Sequence, residues 1–135
     1  MATSKITYLG ELRTEATHLQ SGNTIITDAP TDNHGKGEAF SPTDLVATAL
    51  GSCMLTVVGI KVAAMEKNIS GATVESTKVM YSEPRRIGEI HIKLQIPDDN
   101  FSEKEKQIIR NTAHACPVAK SLHPELKQVV EIDFV

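Results

Sequence analysis

Two cysteines, Cys53 and Cys116, are the residues of this 135-residue chain whose chemistry stands out most clearly. Cys53 lies inside a long apolar stretch, whereas Cys116 follows a second helical pattern and precedes Pro117. A thiolate is a strong nucleophile, and two thiols that meet in a fold can cycle between a dithiol and a disulfide. The two positions are far apart along the chain, so only the fold could bring their sulfurs together.

Each cysteine also has a plain structural explanation. A free cysteine is among the most buried residue types and commonly acts as a small hydrophobe in a core. Cys53 lies well past the predicted start of its helix, where the helix dipole has faded, so its ionisation would need a cation supplied from elsewhere. Gly51 weakens the same helix and indicates that another group approaches it closely. The residues alone leave both explanations open.

The element that carries Cys53 is predicted to be one long helix over residues 41–67. Ser41 suits the N-cap, Pro42 suits the first helical position, and Asp44 completes a capping box. Apolar side chains then point in every direction around the helix as far as Met65. A helix without a polar face must be covered on most sides by its own protein or by a partner.

Two environments could cover such a helix. A membrane span needs about 20 predominantly apolar residues. Here the charged residues Asp44 and Lys61 bracket a shorter stretch, which hydroxyl side chains interrupt, so we interpret the segment as a core helix. A chain of 135 residues is small for a monomer that must bury a helix all round, which favours an obligate oligomer.

The amino-acid composition excludes some classes of binding partner and indicates the cellular compartment. The net charge is −3 and the isoelectric point is about 5.9, so nucleic acid and anionic membrane surfaces are poor partners. The N-terminal residues lack the pattern of a secretory signal, and we expect a cytoplasmic protein. A stable structural disulfide is disfavoured in reducing cytosol, which favours redox catalysis for the two thiols.

The five histidines and two cysteines lack zinc-site spacings, so neither a metal nor another cofactor is expected.

Strand patterns occur on both sides of the long helix. Those before it predict a small antiparallel meander, and a polar loop over residues 29–40 leads from this meander to Ser41. After the helix, apolar residues alternate with polar ones such as His91, which predicts a half-buried hairpin. The predicted strands cover residues 5–8, 11–18, 23–28, 72–82, 87–96 and 127–134, and two further helices cover residues 103–115 and 118–122.

Two segments carry a joint motif, SPTDLVATALGSC at residues 41–53 and ACPVAKSLHPEL at residues 115–126. A proline ahead of a helix cysteine, combined with a later Cys-Pro pair, resembles the OsmC/Ohr superfamily of osmotically inducible and organic hydroperoxide resistance proteins. The resemblance covers essentially the whole chain as one domain, residues 1–135. It implies an α+β fold in which two chains intertwine as a homodimer, with antiparallel sheets enclosing two long central helices.

The resemblance also implies an activity. It is that of a thiol-dependent peroxidase that reduces organic hydroperoxides in oxidative stress defence, with hydrogen peroxide as a further substrate. Cys53 would be the peroxidatic thiol and Cys116 the resolving thiol, in a site formed between subunits. Attack on the peroxide gives a sulfenic acid on Cys53, with which Cys116 condenses to a disulfide before over-oxidation. An outside dithiol, such as a lipoylated protein, would then reduce this disulfide.

One position departs from the pattern of the superfamily. Its peroxidases carry a glutamate that pairs with an activating arginine, and in this chain the corresponding position is Thr43. Asp44 and Glu38 are candidates for the missing carboxylate, although the capping box explains Asp44 equally well. Arg13 lies in the N-terminal meander and is the candidate for the activating arginine, with a solvent-facing strand arginine as the structural alternative.

Two other functions are compatible with the same fold. The thiols could serve as a redox sensor, which a reactive Cys53 combined with a background rate of peroxide consumption would favour. Alternatively, the chain could form a dimer that binds a small apolar ligand, and the substitution at Thr43 favours this idea. Titration of free thiols after one equivalent of cumene hydroperoxide separates a ligand-binding protein, which loses no thiols, from a peroxidase.

Overall fold

The structure, a computed structural model of the chain, describes every residue from Met1 to Val135. It divides into two compact units, Met1–Val46 and Ala47–Val135. The long helix α1 (Pro42–Ala64) begins in the first unit and continues in the second. Every predicted helix and strand is present, with ends that differ by a few residues. The assignment of the whole chain to a single domain stays a prediction.

The first unit contains a three-stranded antiparallel sheet. In sheet order its strands are β1 (Ser4–Gly10), β2 (Arg13–His18) and β3 (Thr24–Asp28). Glu11 and Leu12, which we predicted to start a strand, form the turn between β1 and β2 and have φ angles of 53° and 64°. A two-residue hairpin turn needs such left-handed conformations to match the twist of its strands. The register of β2 and β3 places Arg13 opposite Asp28.

Helix α1 begins at the predicted capping box. The hydroxyl of Ser41 accepts a hydrogen bond from the Asp44 N–H at 3.0 Å, and the Asp44 carboxylate accepts one from the Ser41 N–H at 2.9 Å. These contacts satisfy backbone donors that the first helical turn leaves unpaired. The helix ends at Ala64, a little before the predicted end, and Glu66 then adopts a left-handed conformation with φ of 59°.

The second unit contains the other sheet and two shorter helices. In sheet order its strands are β4 (Thr73–Tyr81), β5 (Arg86–Ile96) and β6 (Lys127–Phe134), and its helices are α2 (Glu103–His114) and α3 (Pro117–Ser121). β4 and β5 form the predicted antiparallel hairpin, whereas β6 lies parallel to β5. This strand differs from the antiparallel expectation because α2 and α3 lie between β5 and β6, and they form the crossover that parallel neighbours require.

The core of the second unit is drawn mainly from one face of β5 and one stripe of α1. The alternation predicted for β5 is confirmed, because its apolar side chains from Ile90 to Ile96 are at most 2% exposed while the His91 side chain is 46% exposed. On α1 the buried side chains recur every third or fourth position, as expected for one helix face. These core residues are Ile90, Ile92, Leu94 and Ile96 on β5, and Leu50, Met54, Val58 and Val62 on α1.

Gly51 allows β4 to approach α1 closely. A Cβ atom built on Gly51 would lie 2.6 Å from the Ser76 hydroxyl oxygen and 3.1 Å from a methyl carbon of Val74. These distances are shorter than ordinary van der Waals contacts, so only glycine fits without a shift of the Ser76 and Val74 side chains. The close approach that the sequence indicated is therefore a contact between a helix and a strand of the same unit.

Much of α1 is left uncovered by its own chain. In its most apolar 18-residue window only 33% of the residues are buried, and Ile60 is 68% exposed. By length and composition alone α1 could cross a membrane, although core helices of globular proteins meet the same criterion.

Candidate active site

The structure brings Cys53 and Cys116 together within the second unit. The Cys53 thiol lies near enough to Cys116 to affect the pKa of the Cys116 thiol, and both cysteines are free. Cys116 is fully buried, whereas Cys53 is partly exposed. A partly exposed cysteine with a buried cysteine near it can react with an external electrophile and then form a disulfide with its neighbour.

Different elements position the two sulfurs. Cys53 lies on α1 next to the buried Met54, so the packing of the helix holds its backbone. Cys116 follows the end of α2 and is the N-cap of α3, with an extended backbone at φ −66° and ψ 148°. Its sulfur accepts a hydrogen bond from the Ala119 N–H at 3.3 Å. Pro117 occupies the first helical position, where its missing N–H costs no hydrogen bond.

The environment of Cys116 keeps its thiol protonated. Burial raises the pKa of the Cys116 thiol, and the neighbouring sulfur of Cys53 raises it further. The Ala119 N–H, which favours the thiolate, opposes these effects only in part. Because Cys116 is both buried and protonated at neutral pH, Cys53 is the sulfur that an external electrophile meets first.

A second cluster of charged side chains lies in the first unit. The Arg13 guanidinium donates through Nε to Asp28 Oδ1 at 2.7 Å and through Nη2 to Asp28 Oδ2 at 2.9 Å. The Arg13 side chain is 32% exposed and that of Asp28 is only 1% exposed. Glu38 contributes its backbone N–H, which donates to Asp28 Oδ2 at 3.2 Å. The three residues together fix the orientation of a two-pronged ion pair.

Both members of this ion pair are held in their charged forms. The hydrogen bonds from Arg13, and then its charge, lower the pKa of the Asp28 carboxyl group despite the opposing effect of burial. In return the carboxylate of Asp28 raises the pKa of Arg13. The guanidinium is therefore a permanent positive charge, as required of a group that would favour a thiolate.

The other carboxylates predicted for this site have different surroundings. The Glu38 carboxylate lies 3.7 Å from Arg13 Nη2 and is 66% exposed, so solvent screens this contact. Asp44 makes the reciprocal hydrogen bonds of the predicted capping box, and its candidacy as the missing carboxylate stays a prediction. The Thr43 hydroxyl is 3.2 Å from the Ser41 hydroxyl, at the same helix start.

Asp28 was not among the site residues predicted from the sequence. It is the last residue of β3, and β2 begins opposite it with Arg13. The available signal was the opposite charge of two residues at facing ends of adjacent strands, which is a favourable cross-strand pair. Using this signal required the register of the hairpin, and the sequence alone left that register open.

The structure is that of a small α+β protein in which two cysteines, distant along the chain, lie near each other. The chain belongs to the OsmC-like protein family, since the sequence profile of that family matches residues 35–131. The resemblance stated from the cysteine motifs is therefore confirmed. No curated protein sequence matches the chain at a significant level.

Solved structures with the same fold include proteins of the same superfamily. One is a Psychrobacter arcticus protein that is provisionally described as an osmotic stress induced and detoxification response protein. It is 59% identical to this chain and has a TM-score of 0.93, and the match covers 98% of this chain and 96% of that one. An OsmC-like protein from Mycoplasma pneumoniae is 23% identical, with a TM-score of 0.78 and coverage of 99% and 98%. The organic hydroperoxide resistance protein OsmC from Legionella pneumophila is 14% identical, with a TM-score of 0.72 and coverage of 98% of each chain.

Proposed function

We propose that this protein is a thiol-dependent peroxidase that reduces organic hydroperoxides, with hydrogen peroxide as a smaller substrate of the same class. The observation that carries the proposal is the partly exposed Cys53 thiol lying beside the buried Cys116 thiol. The name of the Legionella pneumophila relative, an organic hydroperoxide resistance protein, supports the same substrate class.

The proposed reaction begins at Cys53. Its thiolate attacks the outer peroxide oxygen, the O–O bond breaks, and the sulfur is oxidised to a sulfenic acid. The alkoxide that leaves takes up one proton and is released as an alcohol. One peroxide is thereby reduced by two electrons, and both electrons come from the Cys53 sulfur.

The second step closes the disulfide. The Cys116 thiolate attacks the Cys53 sulfenic acid, and the hydroxyl group takes up a proton and leaves as water. Because burial raises the pKa of Cys116, its thiol must first lose a proton, and the Ala119 N–H favours the negative sulfur that results. An external dithiol, such as a lipoylated protein, then restores both thiols by disulfide exchange and is itself oxidised.

Arg13 is the cation that we propose for activation of Cys53. A thiol with an ordinary pKa of about 8.5 is only a small fraction thiolate at neutral pH, so a neighbouring guanidinium increases the reactive fraction. The bidentate contact with Asp28 keeps this guanidinium charged and oriented.

We also propose that the protein acts as a homodimer in the cytoplasm. Only 33% of the most apolar window of α1 is buried by its own chain, and a second copy would cover the remainder. A buried partner surface on α1 would also explain why this helix has no polar face.

A direct experiment tests the proposed reaction. The reduced protein is treated with one equivalent of cumene hydroperoxide, and free thiols are then counted in the wild type and in the Cys53→Ser variant. We expect the wild type to lose both of its thiols per chain and Cys53→Ser to keep its remaining thiol. Loss of the remaining thiol in Cys53→Ser at the wild-type rate would contradict the role of Cys53.

The ligand-binding alternative retains one supporting observation. The resemblance to the superfamily places Thr43 where its peroxidases carry a glutamate, and this difference favours the ligand-binding alternative. A binding protein would keep both thiols in the same titration. A redox sensor would instead form the disulfide once and turn over only at a background rate when a dithiol is supplied.

A further inference from the structure

Gln128 is a polar residue on the core face of β6. The pairing of β6 with β5 places it opposite Ile90, which is fully buried. Because side chains alternate between the two faces of a strand and paired residues share a face, Gln128 lies on the apolar side of the sheet. The residues that follow it on this face at every second position are all apolar, namely Val130, Ile132 and Phe134.

The Gln128 amide has a specific partner on α3. Its Nε2 donates to the Ala119 carbonyl oxygen at 3.0 Å in a partly buried contact. The helix ends at Ser121, so the Ala119 carbonyl is one of the last carbonyls of a helix, which receive no hydrogen bond from within it. A buried polar group is costly unless it is hydrogen-bonded. The contact therefore satisfies both groups and ties α3 to β6.

The same residue of α3 also holds the Cys116 sulfur. The Ala119 N–H donates to Cys116 Sγ at 3.3 Å, and Cys116 is fully buried. A helix of five residues is far shorter than the roughly 12–15 residues that an isolated helix needs for even marginal stability in water. The conformation of α3 therefore depends on its contacts with the rest of the unit, and loss of the Gln128 contact would loosen the turn that holds the sulfur.

We propose that Gln128 is a positioning residue for Cys116, which holds the Cys116 sulfur through Ala119 in its place near Cys53. All four residues belong to the second unit. The chemical consequence rests on the proposed function, in which Cys116 resolves the sulfenic acid of Cys53. Gln128 exchanges no electrons or protons in this step and acts through α3.

The first test measures how fast the Cys53 sulfenic acid becomes a disulfide after treatment with cumene hydroperoxide. Gln128→Met keeps the length of the side chain and removes its N–H donor. We expect this variant to form the disulfide about 10- to 100-fold more slowly, the effect of misplacing a reacting group by about an ångström. Alkylation of Cys53 by iodoacetamide, measured in a Cys116→Ser background, is expected to keep its wild-type rate because the contact orients Cys116 alone.

Gln107→Met is the matched control. Gln107 is an exposed residue of α2 whose Nε2 donates to Asn111 Oδ1 at 2.9 Å, so this variant also loses a side-chain hydrogen bond. It is expected to form the disulfide at the wild-type rate. An equal loss in Gln107→Met, or an equal loss of Cys53 alkylation in Gln128→Met, would overturn the inference.

A second measurement needs no hydroperoxide. The protein is equilibrated with mixtures of reduced and oxidised glutathione, in which each disulfide formed in the protein converts one oxidised glutathione into two reduced molecules. We expect the equilibrium constant for this exchange to be about 10- to 100-fold smaller in Gln128→Met, because its two thiols are held less closely together. Should Gln128→Met fail to fold, Gln128→Glu keeps the size of the side chain but cannot donate while ionised, and a wild-type equilibrium constant in that variant overturns the inference.

The two proposals fail in different ways. A wild-type protein that consumes no hydroperoxide refutes the peroxidase, and the glutathione equilibrium then decides the role of Gln128 without it. In an active protein the rate of disulfide formation decides, and a wild-type rate in Gln128→Met refutes the positioning role alone.

Discussion

The protonation state of Cys116 leads to a quantitative prediction about the second step. Burial and the adjacent Cys53 sulfur raise the pKa of the Cys116 thiol, and the Ala119 N–H offsets only part of this effect. Below that pKa, each rise of one pH unit increases the thiolate fraction about tenfold. We therefore expect the rate of disulfide formation to rise about tenfold per pH unit between roughly pH 6 and pH 8.

This rate can be measured in a single turnover. The reduced protein is mixed with excess cumene hydroperoxide, so that the first step is complete early, and samples are quenched with dimedone at set times. Mass spectrometry then gives the fractions of sulfenic acid and of disulfide. In the Cys116→Ser variant the sulfenic acid should persist at every pH. This control shows that the measured rate is that of the attack by Cys116 on the sulfenic acid.

Two results would refute this reasoning. A rate of disulfide formation that does not change between about pH 6 and pH 8 would mean that Cys116 is already ionised, contrary to the effect of its burial. An equally short-lived sulfenic acid in Cys116→Ser would mean that another group resolves it.

Three further predictions concern stability and assembly. Met54→Ala should lower the free energy of unfolding by about 2–5 kcal/mol in urea titrations because this side chain is fully buried, and a change below about 1 kcal/mol would contradict that packing. The Tm difference between wild type and Asp28→Asn should be greatest near neutral pH and shrink as the pH falls below the ordinary Asp pKa of 3.8. The reason is that a carboxyl group whose pKa is lowered by folding stabilises the folded chain only while it is ionised. A Tm difference that grows in acid would contradict this. Ile60→Glu should convert the proposed homodimer into a monomer in sedimentation experiments, because Ile60 is 68% exposed on α1 and available to a second copy. An unchanged dimer would contradict an interface at Ile60.

Much of the fold could be predicted because its signals are local. The reciprocal contacts of Ser41 and Asp44 follow from residue types at a fixed spacing, and the structure contains them. Strand β6 has the predicted bounds, since its apolar and polar residues are delimited clearly in the sequence. The turn at Glu11 and Leu12 was missed because neither residue is typical of a left-handed turn.

The candidate site was predictable only in part because its contacts are distant along the chain. The chemistry of the thiols and the resemblance to the superfamily identified Cys53 and Cys116 as candidates, but their proximity depends on how α1, α2 and α3 pack. Arg13 was identified as a candidate while its buried partner Asp28 was not, because that pair depends on strand register. The roles proposed for Cys53, Cys116 and Arg13 in catalysis stay predictions.

Peptide mapping of the oxidised protein tests the central claim most directly. After treatment with one equivalent of cumene hydroperoxide and alkylation of the remaining thiols, the protein is digested without reduction and its cross-linked peptides are sequenced by mass spectrometry. We predict a disulfide that joins Cys53 to Cys116, which the dithiol dihydrolipoamide then reduces. Recovery of both cysteines as alkylated free thiols, at hydroperoxide levels that oxidise a control peroxidase, would contradict it.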